Sequence, residues 1–182
     1  MNNTSEQYDS IITKCYDIFG QKSKDYGTAW RVLRTSSLTD QLYIKAKRIR
    51  SIEDKGMSKV DEGVEPEFIA LVNYSIMAMI QLELGVSEEL HMEEDRLKNF
   101  FHQYAKTAKD LMMDKNHDYD EAWREMRISS LTDLIFQKIL RIKQIEHNKG
   151  KTLISEGIDA NYLDMINYAV FALIKMDELA TN

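Results

Sequence analysis

The chain has one cysteine, one proline and seven glycines in 182 residues. A single cysteine excludes an intramolecular disulfide. Cys15 falls on an apolar helix face and reads as a buried thiol, which suits a reducing, cytoplasmic setting. So few prolines and glycines leave little room for tight turns and favour long helices. No stretch alternates polar and apolar residues for long enough to propose a strand. The longest apolar run, Phe68 to Ile80, is broken by Asn73 and is too short for a bilayer span. The opening Met1-Asn2-Asn3-Thr4-Ser5-Glu6 lacks a basic region followed by an apolar core, so no signal peptide and no membrane association are expected. The net charge of −6 gives no general attraction to DNA or to anionic lipid. Zinc-spaced His-Cys sets, a glycine-rich phosphate loop and a nucleophile elbow are also missing.

What the chain has, it has twice. Lys22-Ser23-Lys24-Asp25-Tyr26-Gly27-Thr28-Ala29-Trp30-Arg31-Val32-Leu33-Arg34 is followed by Thr35-Ser36-Ser37-Leu38-Thr39-Asp40. Lys115-Asn116-His117-Asp118-Tyr119-Asp120-Glu121-Ala122-Trp123-Arg124-Glu125-Met126-Arg127 is followed by Ile128-Ser129-Ser130-Leu131-Thr132-Asp133. Lys, Asp, Tyr, Ala, Trp, two Arg and Ser-Ser-Leu-Thr-Asp recur at the same internal spacing, the mark of a tandem duplication. The shared set is polar and aromatic, more than a fold alone requires.

The expected fold is all-α: a roughly three-helix unit, duplicated and packed as an internal pseudo-dimer. Residues 1–85 form the first repeat, 86–95 an acidic linker and 96–182 the second repeat, together in one compact domain. Tyr8, Ile11, Ile12, Cys15, Ile18 and Phe19 give the first helix a helical stripe. Thr4 or Ser5 would cap it, and it would end near Lys22. Gly27 permits a positive φ there, and Asp120 tolerates one. A short helix from about Thr28 to Arg34 follows. Ser37 with Asp40 then reads as the start of a second helix that stops at Lys55-Gly56. Pro66 opens the third, which Gly85 ends. The polar connections are Met57 to Glu65 and Lys149 to Ser155, the latter one residue longer.

Tyr26, Trp30 and Arg34, like Tyr119, Trp123 and Arg127, would share one helix face if helical throughout. A ring pair beside a guanidinium can hold a base and a phosphate, although an anchoring Trp and a helix-capping Arg explain the same spacing. The basic residues shared by both copies are Lys22, Arg31, Arg34, Lys45 and Arg48, matched by Lys115, Arg124, Arg127, Lys138 and Arg141. In an acidic protein they point to a phosphorylated ligand. Asp25 and Asp118 flank the same turn. Asp164 and Asn167 interrupt the apolar third helix of the second copy, where the first has Ala70 and Asn73. With Asp133, Glu146 and Glu156, Asp164 is a candidate Mg²⁺ ligand, and Asp164 and Glu146 are candidate catalytic groups.

Lys-x-x-Asp-Tyr-x-x-Ala-Trp, Ser-Ser-Leu-Thr-Asp, Lys-x-x-Arg-Ile, Glu-Gly and Asn-Tyr together resemble the nucleotide-modification-associated domain 1 family of small helical proteins. The resemblance covers both repeats and implies a link to nucleotide or modified-base metabolism. A weaker similarity is to the MazG-type all-α nucleoside triphosphate pyrophosphohydrolases, which bind Mg²⁺ through helical Glu-x-x-Glu and Glu-x-x-Asp pairs. Here Glu88, Glu89 and Glu93 lie in the linker at another spacing, and Asp164 with Asn167 is a variant of the second pair. Three readings follow: a Mg²⁺-dependent phosphoanhydride hydrolase, a nucleotide-binding module without chemistry, and an interaction scaffold. Duplication can replace a homodimer within one chain, and further self-association stays open.

Overall fold

The computed structural model describes residues 3–56, 63–152 and 156–182. Six helices carry nearly all of them: α1 (Thr4–Tyr26), α2 (Thr35–Lys55), α3 (Glu65–Leu84), α4 (Glu94–Tyr119), α5 (Ile128–His147) and α6 (Ile158–Thr181). A single 3-10 turn follows α1 (Ala29–Val32) and another follows α4 (Ala122–Glu125). No strand occurs among the described residues, and the chain is the all-α tandem repeat that its sequence predicts. Parts of both polar connections, residues 57–62 and 153–155, lie outside the described residues.

Helix ends with a local chemical cause fall where expected. Gly56 ends α2 in the left-handed region at φ 71°, Pro66 sits in the first turn of α3, and Gly85 follows α3. The starts differ. Asn3 caps α1 by accepting the Glu6 backbone N–H at 3.2 Å, so Thr4 is already helical. Helix α1 also runs a full turn past Lys22 and stops at Gly27, φ 66°. Helix α2 begins at Thr35, with extended Arg34 before it and no side-chain cap. The chain enters α2 directly from the 3-10 turn, and Arg34 O accepts the Ser37 N–H at 3.0 Å. Ser37 is therefore inside the first turn and forms no capping box with Asp40. Arg127 stands before α5 in the same way.

Helices α3 and α6 are buried on almost every side. By length and composition α3 would suit a bilayer, but 67% of its most apolar window is buried here, as in the core helix of a bundle. Helices α2 and α5 pack on α3 and α6 and on each other, while α1 and α4 lie across the α3–α6 pair. Contacts between the copies come in symmetric pairs, as in an isologous dimer. Tyr43 meets its own counterpart Phe136 at 5.4 Å between ring centroids. Thr39 Oγ1 donates to Glu146 Oε1 at 2.8 Å, and Thr132 Oγ1 donates to Glu53 Oε2 at 3.2 Å. Arg50 faces Asp133 at 3.9 Å, and Lys143 faces Asp40 at 3.3 Å.

Two of the repeated arginines hold the short turns in place. Buried Arg31 donates through Nη1 to Gln81 Oε1 and to Gly85 O, both at 2.7 Å. Gln81 Nε2 donates back to Arg31 O at 2.8 Å and to Leu33 O at 2.7 Å. Arg124 donates to Glu178 Oε1 at 2.8 Å and to Gln7 Oε1 at 2.6 Å. Lys175, in the place of Gln81, donates to Arg124 O at 2.6 Å. The linker crosses the first turn, with Thr28 N–H donating to Leu90 O at 2.7 Å. A Cβ on Gly27 would stand 2.5 Å from that same oxygen, so only glycine fits there. In the second copy Asp120 holds φ 51° in its place.

Two predictions follow from this packing. Burial raises the pKa of Glu53 and Glu146 above the usual 4.5, against the lowering effect of their threonine hydrogen bonds. The folded state thus holds these protons more readily than the unfolded state. Stability is favoured near pH 4.5 and is lost as pH rises through the raised values. In thermal melts, Glu53→Gln/Glu146→Gln should gain more Tm over wild type at pH 7 than at about pH 4.5. Arg31→Ala should cost about 2–4 kcal/mol in urea unfolding, because it strands buried Gln81. Arg34→Ala, at an exposed position, should cost about 0.5 kcal/mol or less.

Candidate functional site

The end of α1, the first short turn, α2 and α3 enclose a cavity of about 450 Å³. Lys22 and Tyr26, one helical turn apart, line it from α1. Trp30 lines it from the turn and Lys45 from α2, and Ala70, Asn73, Tyr74 and Met77 come from one face of α3. The overrun of α1 past Lys22 brings the lysine and the tyrosine to the same wall.

The second repeat builds the same arrangement around about 280 Å³. Lys115, Tyr119, Trp123, Asp164, Asn167, Tyr168 and Phe171 line it. Every one of these residues has its counterpart in the first cavity. The two sites differ in what fills them. Asp164 is paired with Lys115 at 2.8 Å and with Lys138 at 3.1 Å, one lysine to each oxygen. Burial acts to lower the Lys115 pKa, but the hydrogen bond and charge of Asp164 outweigh it and the net shift is upward. Phe171 stacks on Trp123 at 4.2 Å with the rings 3° from parallel.

In the first cavity Ala70 and Met77 stand in those two places. Lys22 has no ion-pair partner among the described residues. Lys45 has only Glu67 at 3.5 Å, a carboxylate that Arg48 holds more closely at 2.8 Å. Trp30 has a tilted contact with Phe19 at 6.3 Å and no parallel ring.

The remaining expected site residues lie elsewhere. The chain leaves the helix at Gly27 and Asp120, so no continuous Tyr-Trp-Arg face forms. Tyr26 and Tyr119 are 75% and 69% exposed at the cavity rims. Arg34 and Arg127 are exposed residues before α2 and α5, and Asp25 and Asp118 are exposed as well. Asp118 lies 3.3 Å from His117. Arg141 donates to Gln144 at 3.3 Å and lines, with Lys138, Glu156 and Asn161, a separate open hollow of about 670 Å³.

The four candidate metal carboxylates do not gather. Asp133 and Glu146 sit at opposite ends of α5, roughly 20 Å apart along its axis. Asp133 is exposed near Arg50, Glu146 bonds Thr39, Glu156 borders the open hollow, and Asp164 is bound by two lysines. Among the described residues no three His, Cys, Asp or Glu side chains are placed to share an ion. The donor set present does not fit a shared Mg²⁺ site.

Sequence reasoning passed over Tyr74, Met77, Tyr168 and Phe171, which look like ordinary core residues. Their signal lay in aligning the two copies of the third helix and asking where charge and ring content differ.

The model of the family described as nucleotide modification associated domain 1 matches twice, over residues 22–82 and 115–176. Each match starts at the cavity lysine and runs through the helix that forms the opposite wall. No curated protein and no solved structure matches the chain. The two matches follow the structural repeat and together span more than half of the sequence, so the chain belongs to the nucleotide modification associated domain 1 family as a tandem pair.

Proposed function

We propose that the chain binds a nucleotide, or a closely related phosphorylated small molecule, in the first-repeat cavity. The observation that carries this reading is Lys22 and Lys45 beside an unstacked Trp30, with no acid on the wall where the second repeat has Asp164. A protein of net charge −6 repels anions at long range. Lys22, exposed on the cavity wall with no carboxylate partner among the described residues, and Lys45, whose one partner Glu67 lies at 3.5 Å, are then a provision for an anion. The volume of about 450 Å³ falls within the range of small-molecule sites. A tryptophan face suits a planar base, and the family's description concerns nucleotide modification. This favours binding over the Mg²⁺-dependent phosphoanhydride hydrolysis expected from the carboxylates, because Asp164 is held by two lysines, Glu146 by Thr39, and Asp133 and Glu156 stand apart from both.

Calorimetry with nucleoside mono-, di- and triphosphates in chelator-containing buffer tests the reading. Saturable binding is expected. Lys22→Ala and Lys45→Ala should each weaken it about tenfold, near 1.4 kcal/mol. Lys115→Ala should change it less than about twofold. Absence of saturable binding, or equal losses from lysines of both repeats, would overturn it.

A further inference from the structure

We infer that the second cavity is a narrowed copy of the first, partly occupied by the chain's own Phe171 ring and Asp164 carboxylate, and that these side chains mark what a nucleoside monophosphate supplies to the first. The inference rests on the binding reading above and names its ligand class. Three differences between the copies run in the same direction. The carboxylate that bridges Lys115 and Lys138 has no bridging counterpart in the first repeat. Ala70 stands there, and Glu67, held by Arg48 at 2.8 Å, reaches Lys45 at 3.5 Å and leaves Lys22 unpaired among the described residues. The ring that stacks on Trp123 has none either, because Met77 replaces it.

The third difference concerns the asparagine between them. Asn167 donates to Ala108 O at 2.9 Å, and its Oδ1 accepts from Tyr8 at 2.7 Å. Asn73 donates to the equivalent Cys15 O at 3.2 Å, which fixes its amide in the same sense. Its Oδ1 has no partner, although the residue is only 7% exposed and lines the cavity. Phe101 takes the place of Tyr8 in the repeat, so the internal donor is missing where the cavity is open.

The first cavity therefore lacks one bridging anion, one hydrogen-bond donor and one flat ring. Ala70, Asn73 and Met77 set these positions along one face of α3, over about 10 Å of its axis. That span exceeds an isolated phosphate or an isolated base. The ammonium of Lys22, unpaired among the described residues, with Lys45 held by Glu67 only at 3.5 Å, suits the charge of one terminal phosphate, about −2. A base N–H is the donor that Asn73 Oδ1 would accept.

The test is calorimetry with the four common nucleoside 5′-monophosphates and their parent nucleosides. Wild type should bind one monophosphate per chain. Tyr8→Phe/Asp164→Ala/Phe171→Met, which reverses all three differences in the second cavity, should bind two. Ala70→Asp should weaken monophosphate binding at least tenfold and leave the parent nucleoside within twofold, because the new carboxylate competes only for the phosphate position. The Ala70→Asp comparison decides the matter if the opened variant does not fold. Two sites in wild type, one site in a folded opened variant, or no charge-selective loss in Ala70→Asp would overturn this inference alone. No nucleotide binding by wild type would overturn it together with the function proposed above.

Discussion

A helix that is apolar on nearly every side has to be surrounded, and neither repeat has enough chain to surround its own. The mutual burial of α3 and α6 answers that need, and the rest of the molecule is arranged around it. The outer helices are spread across both central ones, so α1 and α4 each touch the two repeats. The same burial fixes the cavities. Their inner walls are the outer edges of α3 and α6, and Asn73 and Asn167 are tied to main-chain carbonyls of α1 and α4. A ligand entering from the surface would meet groups held by the core.

Much of this was legible because its cause is local. The repeated motif, the glycines after α2 and α3, and the proline at the start of α3 each act through neighbouring backbone. The helix starts were less legible. Arg34, just after the 3-10 turn, already takes the Ser37 amide on its carbonyl, so the helix has begun before Ser37 and its side chain has no cap to make; nothing in the Ser-x-x-Asp pattern records that. The arginines were ambiguous for a different reason. A guanidinium retained in both copies can serve a ligand or the chain itself, and Arg31 and Arg124 are spent on Gln81 and Glu178. The lysines and tryptophans of the site were legible as a retained set. The separation of Asp133 and Glu146 could have been read from their positions on one helix, which forbid a shared ion.

The two copies divide the physical chemistry between them. In the second, the lysines meet a carboxylate, the tryptophan ring a phenylalanine and the asparagine a tyrosine, all from within the chain. The first leaves the amide oxygen of Asn73 buried and unpartnered, at a penalty of about 1–3 kcal/mol for such an atom. A duplicated fold can tolerate that on one side, since both repeats share one core.

Helix α1 spans this division. Its last turn lines the open cavity, while Gln7 bonds Glu178 at 2.9 Å and Tyr8 bonds Asn167 near the opposite end. During synthesis this helix leaves the ribosome well before Asn167 and Glu178, which bond it from α6. A nascent chain halted before α6 has the lysine and tryptophan of the open cavity but only part of the seat, on α3 and α4, for the helix that presents the lysine. The duplicated gene thus encodes a single cooperative object, and neither half could be shed without the other losing its footing.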